Sequence, residues 1–97
     1  MAVEQRLGKQ PIYDLAATIK DVAYDLGVEP GKPKKPSEKA IEDFKETYGA
    51  RLKETYGIGP SQIKNVIYHA ARDKELLKDI EHNPLIAVKN LLTKLKK

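Results

Sequence analysis

Cysteine and tryptophan are absent from this 97-residue chain, and phenylalanine and methionine each occur once. Without cysteine there is no disulfide, thiolate metal site, iron–sulfur cluster or cysteine nucleophile, a usage that fits an intracellular protein. The aromatic set is five Tyr and one Phe, so the core is drawn mainly from Leu, Ile and Val. No segment alternates at period two, so no sheet is expected. No apolar run approaches the ~18 residues of a membrane span, and the N-terminus has no apolar run of signal-peptide length. The expected location is therefore cytoplasmic. Phosphate-cradling loops of the P-loop or dinucleotide type are also missing.

What is present is charge. Hydrophobic residues make up 40% and charged residues 33% of the chain, above the roughly 25% charged content of an average domain. This length supports one core, because two would each have too little apolar surface to bury. Abundant Lys and Glu, with few Asn, Gln and Met, is the composition expected of a heat-adapted source. The net charge is +4 and unevenly placed: residues 1–36 carry +1, residues 37–60 carry −1 and residues 61–97 carry +4. A basic C-terminal third favours nucleic acid, an anionic membrane surface or an acidic partner.

Residues 1–10 lack a period and read as a flexible N-terminal arm, followed by a single helical domain over 11–97. Pro11 suits a first helical turn. Ile12, Leu15, Ala16, Ile19, Val22, Ala23 and Leu26 then form a helical stripe that Gly27 stops. Residues 28–36 hold three prolines and one glycine, which predicts an extended, polyproline-II-like linker. Its Lys32, Lys34 and Lys35 read either as phosphate contacts or as the charges of a solvated spacer.

Ser37 is the expected N-cap of a second helix, with Glu38 in its first turn and Ile41, Phe44, Tyr48 and Leu52 on its apolar face. Gly49 suggests a kink or a close helix contact. Lys45-Glu46-Thr47-Tyr48-Gly49 recurs as Lys53-Glu54-Thr55-Tyr56-Gly57. Its tyrosines fall on neighbouring parts of one side, as core packing or as a paired aromatic platform.

Beyond Pro60, Ile63, Val66, Ile67 and Ala70 continue a stripe that Leu76, Leu77 and Ile80 extend. Residues 61–81 read as one helix or as two, the second capped by Asp73. Asn83-Pro84 announces a last helix with Leu85, Val88, Leu91, Leu92 and Leu95 on one side. Lys94, Lys96 and Lys97 gather near its C-terminus, where the helix dipole favours positive charge. The expected fold is all-α, a compact bundle of four to five short helices.

Catalytic constellations are poor, and no enzyme activity, metal or cofactor is expected. His69 and Asp73, at i and i+4, supply only two ligands of a zinc site. Glu38, Glu42, Asp43 and Glu46, interleaved with Lys39 and Lys45, read as an exposed face of ion pairs.

The string Tyr56-Gly57-Ile58-Gly59-Pro60, preceded by Leu52 and followed by Ile63, Val66 and Ile67, resembles the helix-hairpin-helix motif of DNA repair, replication and recombination proteins. The resemblance covers residues 52–67. Tyr56 stands where that family often has Pro, and Ile63 where it has a small residue. The resemblance implies sequence-independent gripping of the sugar-phosphate backbone. Gly57 and Gly59 would let the backbone approach a phosphate, and Ser61, Gln62 and Lys64 would supply donors at the next helix start. The lysines of the linker and of the C-terminal tail would add attraction. The same string also reads as a plain turn between two helices. Two functions follow as expectations: a nucleic-acid-binding protein, DNA before RNA, or a small helical adaptor that docks a protein partner through residues 85–95.

Overall fold

Six buried side chains at helical spacing on the first segment decide the architecture. Ile12, Leu15, Ala16, Ile19, Val22 and Ala23 are all at most 4% exposed, and the other helices gather around that stripe. The computed structural model describes residues 8–95, so residues 1–7 of the arm expected over 1–10 and the tail residues Lys96 and Lys97 lie outside the described residues, while Lys9 and Gln10 of that expected arm already belong to the first helix. Five helices follow one another: α1 (Lys9–Asp25), α2 (Ser37–Tyr56), α3 (Pro60–Arg72), α4 (Lys74–His82) and α5 (Pro84–Leu95). No strand occurs among the described residues. No helix there is long and apolar enough to cross a membrane. The fold is an all-α bundle in which α2, α3 and α5 each pack on α1 and α4 bridges α5 and α3.

The ends of α1 and α2 depart from the sequence pattern for identifiable reasons. Leu26, the last member of the expected α1 stripe, is 40% exposed. The chain reverses at Gly27, whose amide bonds to Tyr24 O at 3.1 Å, while the Val28 amide bonds to Ala23 O at 2.9 Å. That paired closure swings Val28 against the core in place of Leu26. Ser37 does not cap α2. Pro36 holds the cap position, and the Ser37 hydroxyl and amide both donate to Asp25 Oδ2, at 2.6 and 3.0 Å. A charged acceptor across the turn outcompetes the amides of the serine's own helix.

The proline-rich segment is fastened at several points rather than passing freely through solvent. The Lys34 amide donates to Asp21 at 3.2 Å, and Lys35 Nζ pairs with Asp43 at 2.5 Å, which Lys39 also reaches at 3.3 Å. Gly31 lies so close to Tyr24 that a Cβ there would sit 2.9 Å from the ring. The hydrogen bonds from Ser37 hold the Asp25 carboxyl below its usual value of 3.8. The Lys35 ammonium does the same for Asp43 and is itself held above its usual 10.5.

Gly49 neither interrupts α2 nor admits a neighbour. The helix is continuous through it, and a Cβ added there would meet nothing within 4 Å. The repeated tyrosines pack inward. Tyr48 packs tilted against Phe44 with ring centroids 5.1 Å apart and donates to the Asp14 carboxylate, and Tyr56 packs against the core.

Gly49→Ala should therefore stabilise the protein by about 0.5–1 kcal/mol, raising Tm by a few degrees in a domain of this size. A lowered Tm would mean that the glycine is needed after all. The fastening of residues 31–37 should also depend on pH. Depressed carboxyl pKa values contribute stability above the unfolded value and lose it as pH falls through the folded values. The ring-current shift of the Gly31 protons against Tyr24 should hold near neutrality and collapse only as pH falls below the usual carboxyl value of 3.8. A shift unchanged at about pH 2 would place the restraint in the prolines instead.

Candidate nucleic-acid interface

The glycine hairpin uses its own amides. Gly57 ends α2 in the left-handed region (φ 69°, ψ 22°), which a side chain would strain. Its amide bonds to Lys53 O at 2.8 Å, and the Ile58 amide reaches Leu52 O at 3.4 Å. Ile58 itself is buried, at 6% exposure, pinning the turn to the core. The Gly59 amide donates to Gln62 Oε1 at 2.8 Å, the return half of a capping box. All three turn amides are thus committed within the protein. The first amide returned from α3 is that of Ile63, to Gly59 O at 3.0 Å, so the helix-start donors facing outward are those of Ser61 and Gln62, both exposed. Ile63 is 2% exposed and forms part of the core.

The expected basic residues do not converge on that turn. Pro36 and Gly57 flank a helix of 20 residues, about 30 Å long, so the linker lysines and the hairpin lie at opposite ends of α2. Lys32 is exposed, Lys34 is tied through its backbone to Asp21, and Lys35 is paired with Asp43. Lys64 is exposed and shares a cleft with Glu38 and Glu42 of α2, so its field is partly cancelled. Lys94 is exposed on α5. On that helix Val88 and Leu92 are buried and Leu85 and Leu91 are half-buried. The described apolar side chains of that helix are therefore largely spent within the bundle, and Ile86, 52% exposed, faces outward.

The residues gathered most closely are ones to which the motif gave no role. Between Gly57 and Arg72 the sequence has no Asp or Glu, although the chain holds 14 acidic residues. With Ile63, Ile67, Ala70 and Ala71 turned to the core, the outer face of α3 presents Ser61, Asn65, Tyr68, His69 and Arg72. Asn65, His69 and Arg72, at i, i+4 and i+7, form a ridge along it. On one side of the ridge Tyr68 is half-buried, with the Arg72 guanidinium 5.9 Å from its ring centroid. On the other side a groove of about 430 Å³ opens between α3, α4 and α5. Its floor is Val66, Ala70, Leu76 and Leu91, and its rim is Asn65, His69, Arg72 and Asp73. The acid-free run is the sequence signal that marks this face.

Asp73 also answers how many helices residues 61–81 form. It leaves helical geometry (φ −92°, ψ 101°), and its carboxylate accepts from the amides of Glu75 and Leu76, both at 3.1 Å. There are two helices. Asn83 repeats the device one helix later, accepting from the Ile86 amide at 3.2 Å with Pro84 next in sequence. Among the described residues no group of three or more His, Asp or Glu is placed to hold a metal ion.

No family model matches the chain, and neither a curated protein nor a solved structure gives a match. Function therefore has to be read from the residues themselves. Asp73→Ala should cost about 1 kcal/mol by uncapping α4, seen as a lower denaturant midpoint and faster amide exchange at Glu75 and Leu76. Equal loss from Asp73→Asn would show that charge rather than the cap matters, since Asn caps about as well.

Proposed function

We propose that the chain is a non-catalytic, cytoplasmic protein that binds nucleic acid, DNA in preference to RNA, through the outer face of α3. The observation that carries this reading is the ridge of Asn65, His69 and Arg72 on a helix without a carboxylate. Guanidinium, amide, imidazole and hydroxyl donors on one exposed face suit phosphate oxygens, and no acid on the helix repels them. Charge supports the same surface. Residues 60–72 carry +2, residues 73–82 carry −2 and residues 83–95 carry +2. A polyanion is thus drawn along α3 towards α5 and turned away from the outer face of α4.

The resemblance to the helix-hairpin-helix motif supports phosphate contact at the start of α3, but with an altered division of labour. Gly57 and Gly59 shape the turn, Gln62 locks it, and the outward amides of Ser61 and Gln62, with Lys64, are left to meet the backbone. Contacts of this kind bind by counterion release and carry little sequence information.

Fluorescence anisotropy with labelled oligonucleotides at about 50 and 200 mM salt tests the reading, because phosphate contacts make affinity fall steeply between these conditions. Arg72→Glu should weaken binding about tenfold or more and reduce the salt slope by about 1, with Lys64→Glu acting in the same direction. Lys32→Glu, at the far end of α2, should have the smaller effect. If Arg72→Glu and Lys64→Glu leave both affinity and slope unchanged, α3 is not the binding surface.

A further inference from the structure

We infer that the groove beside the α3 ridge is a seat for an unpaired base, so that the nucleic acid bound is single-stranded DNA rather than duplex. The inference rests on the nucleic-acid reading of α3 and names its substrate class.

The ridge residues Asn65, His69 and Arg72 border two different surfaces at once. One is the polar depression they share with Tyr68. The other is the groove floored by Val66, Ala70, Leu76 and Leu91. A phosphate held on the ridge therefore has an apolar slot on one side and an aromatic ring carrying a guanidinium on the other. Duplex DNA cannot use the slot, because its bases are stacked and paired and only their edges are offered in the grooves. A single strand can, since its bases splay away from the backbone and gain from burial against apolar and aromatic surface. The groove, at about 430 Å³, falls in the range of sites that enclose small organic groups.

The polar groups around the slot suit this occupant. Asn65 offers a donor and an acceptor to a base edge, and Arg72 offers a planar face as well as a charge. On the opposite side the Tyr68–Arg72 pair provides a second stacking surface for the neighbouring base. The choice of DNA over RNA follows from the floor. A ribose 2′-hydroxyl must find a partner when buried, and the floor is entirely Val, Ala and Leu. The one carboxylate on the rim, Asp73, is turned to the start of α4, where its Oδ1 accepts from the amides of Glu75 and Leu76. Deoxyribose loses nothing on such a surface.

The experiment is an anisotropy titration of the full-length protein with labelled single-stranded DNA, the matching duplex and single-stranded RNA of equal length, at one salt concentration. Single-stranded DNA should bind about tenfold more tightly than the duplex, a gap that one buried base can supply. Leu91→Ala and Leu76→Ala should remove most of that preference while leaving duplex binding nearly unchanged. Because these leucines also touch the core, wild-type methyl spectra serve as the second readout. The Val66, Leu76 and Leu91 methyl resonances should shift with single-stranded DNA and stay still with duplex. Equal affinity for single strand and duplex, or still methyl resonances during single-strand titration, overturns the groove assignment. If both ligands still lose affinity in Arg72→Glu, the α3 surface survives that result. No binding of any oligonucleotide at low salt overturns both, and tighter binding of RNA than of DNA overturns the choice of sugar.

Discussion

A continuous aliphatic stripe on α1 is the constraint on which the rest depends. Ile19, Val22 and Ala23 are completely buried, and three other helices pack against that one surface. With a single Phe and no Trp, the chain has few bulky rings to fill space. It compensates with small and branched side chains that let helices approach: Ala16 and Ala23 on α1, Ala70 and Ala71 on α3, and Ala87 on α5 are all at most 5% exposed. Interiors packed this way tolerate little change in volume. It also explains why α3 presents such a clean outer face. The aliphatic residues of α3 are drawn to the core or to the groove beside it, leaving mostly polar side chains and the half-buried Tyr68 outward.

Charge is sorted by element. Asp14, Asp21, Asp25 and Asp43 hold the crossing from α1 to α2, each engaged by a hydrogen bond or an ion pair within the protein. Exposed pairs of this kind add little to stability one at a time, but here they decide which cations remain available. Of the linker lysines, Lys35 spends its charge on Asp43, while Lys34 is held through its backbone amide. Arg72 and Lys94 belong to helices without any carboxylate. A simple count of lysines therefore overstates the α1–α2 end of the molecule as an anion-attracting surface and understates α3.

Much of the fold was legible because it depends on local rules. The stripe from Ile12 to Ala23, the stop at Gly27 and the start at Asn83-Pro84 follow from periodicity and capping, which act within one or two turns. What was not legible depends on partners distant in sequence. Ser37 is a good cap by type, but Asp25 lies 12 residues away and takes its hydroxyl. Leu26 fits the helical period, yet the chain reversal lets Val28 cover the core first. Gly49 suggests a contact only because sequence does not tell which face of α2 lies open. Asn65, His69 and Arg72 are individually unremarkable polar residues, and only the groove that α4 and α5 build beside them gives the ridge a second side.

The glycine turn and the ridge bear on one another through hydrogen-bond accounting. A turn that offers its amides to a phosphate has to leave them free, and this one does not. Gly57 and Ile58 donate back into α2, and Gln62 closes on Gly59. Such a turn is rigid, because each buried or half-buried donor already has its partner. Rigidity at the start of α3 is useful to a binding helix, since it fixes the direction in which the ridge projects without loss of entropy on contact. The resemblance to a phosphate-gripping hairpin and the internal use of its amides are then compatible. On the proposed reading, the turn aims the helix, and the helix, with an apolar slot beside it, would make the contact.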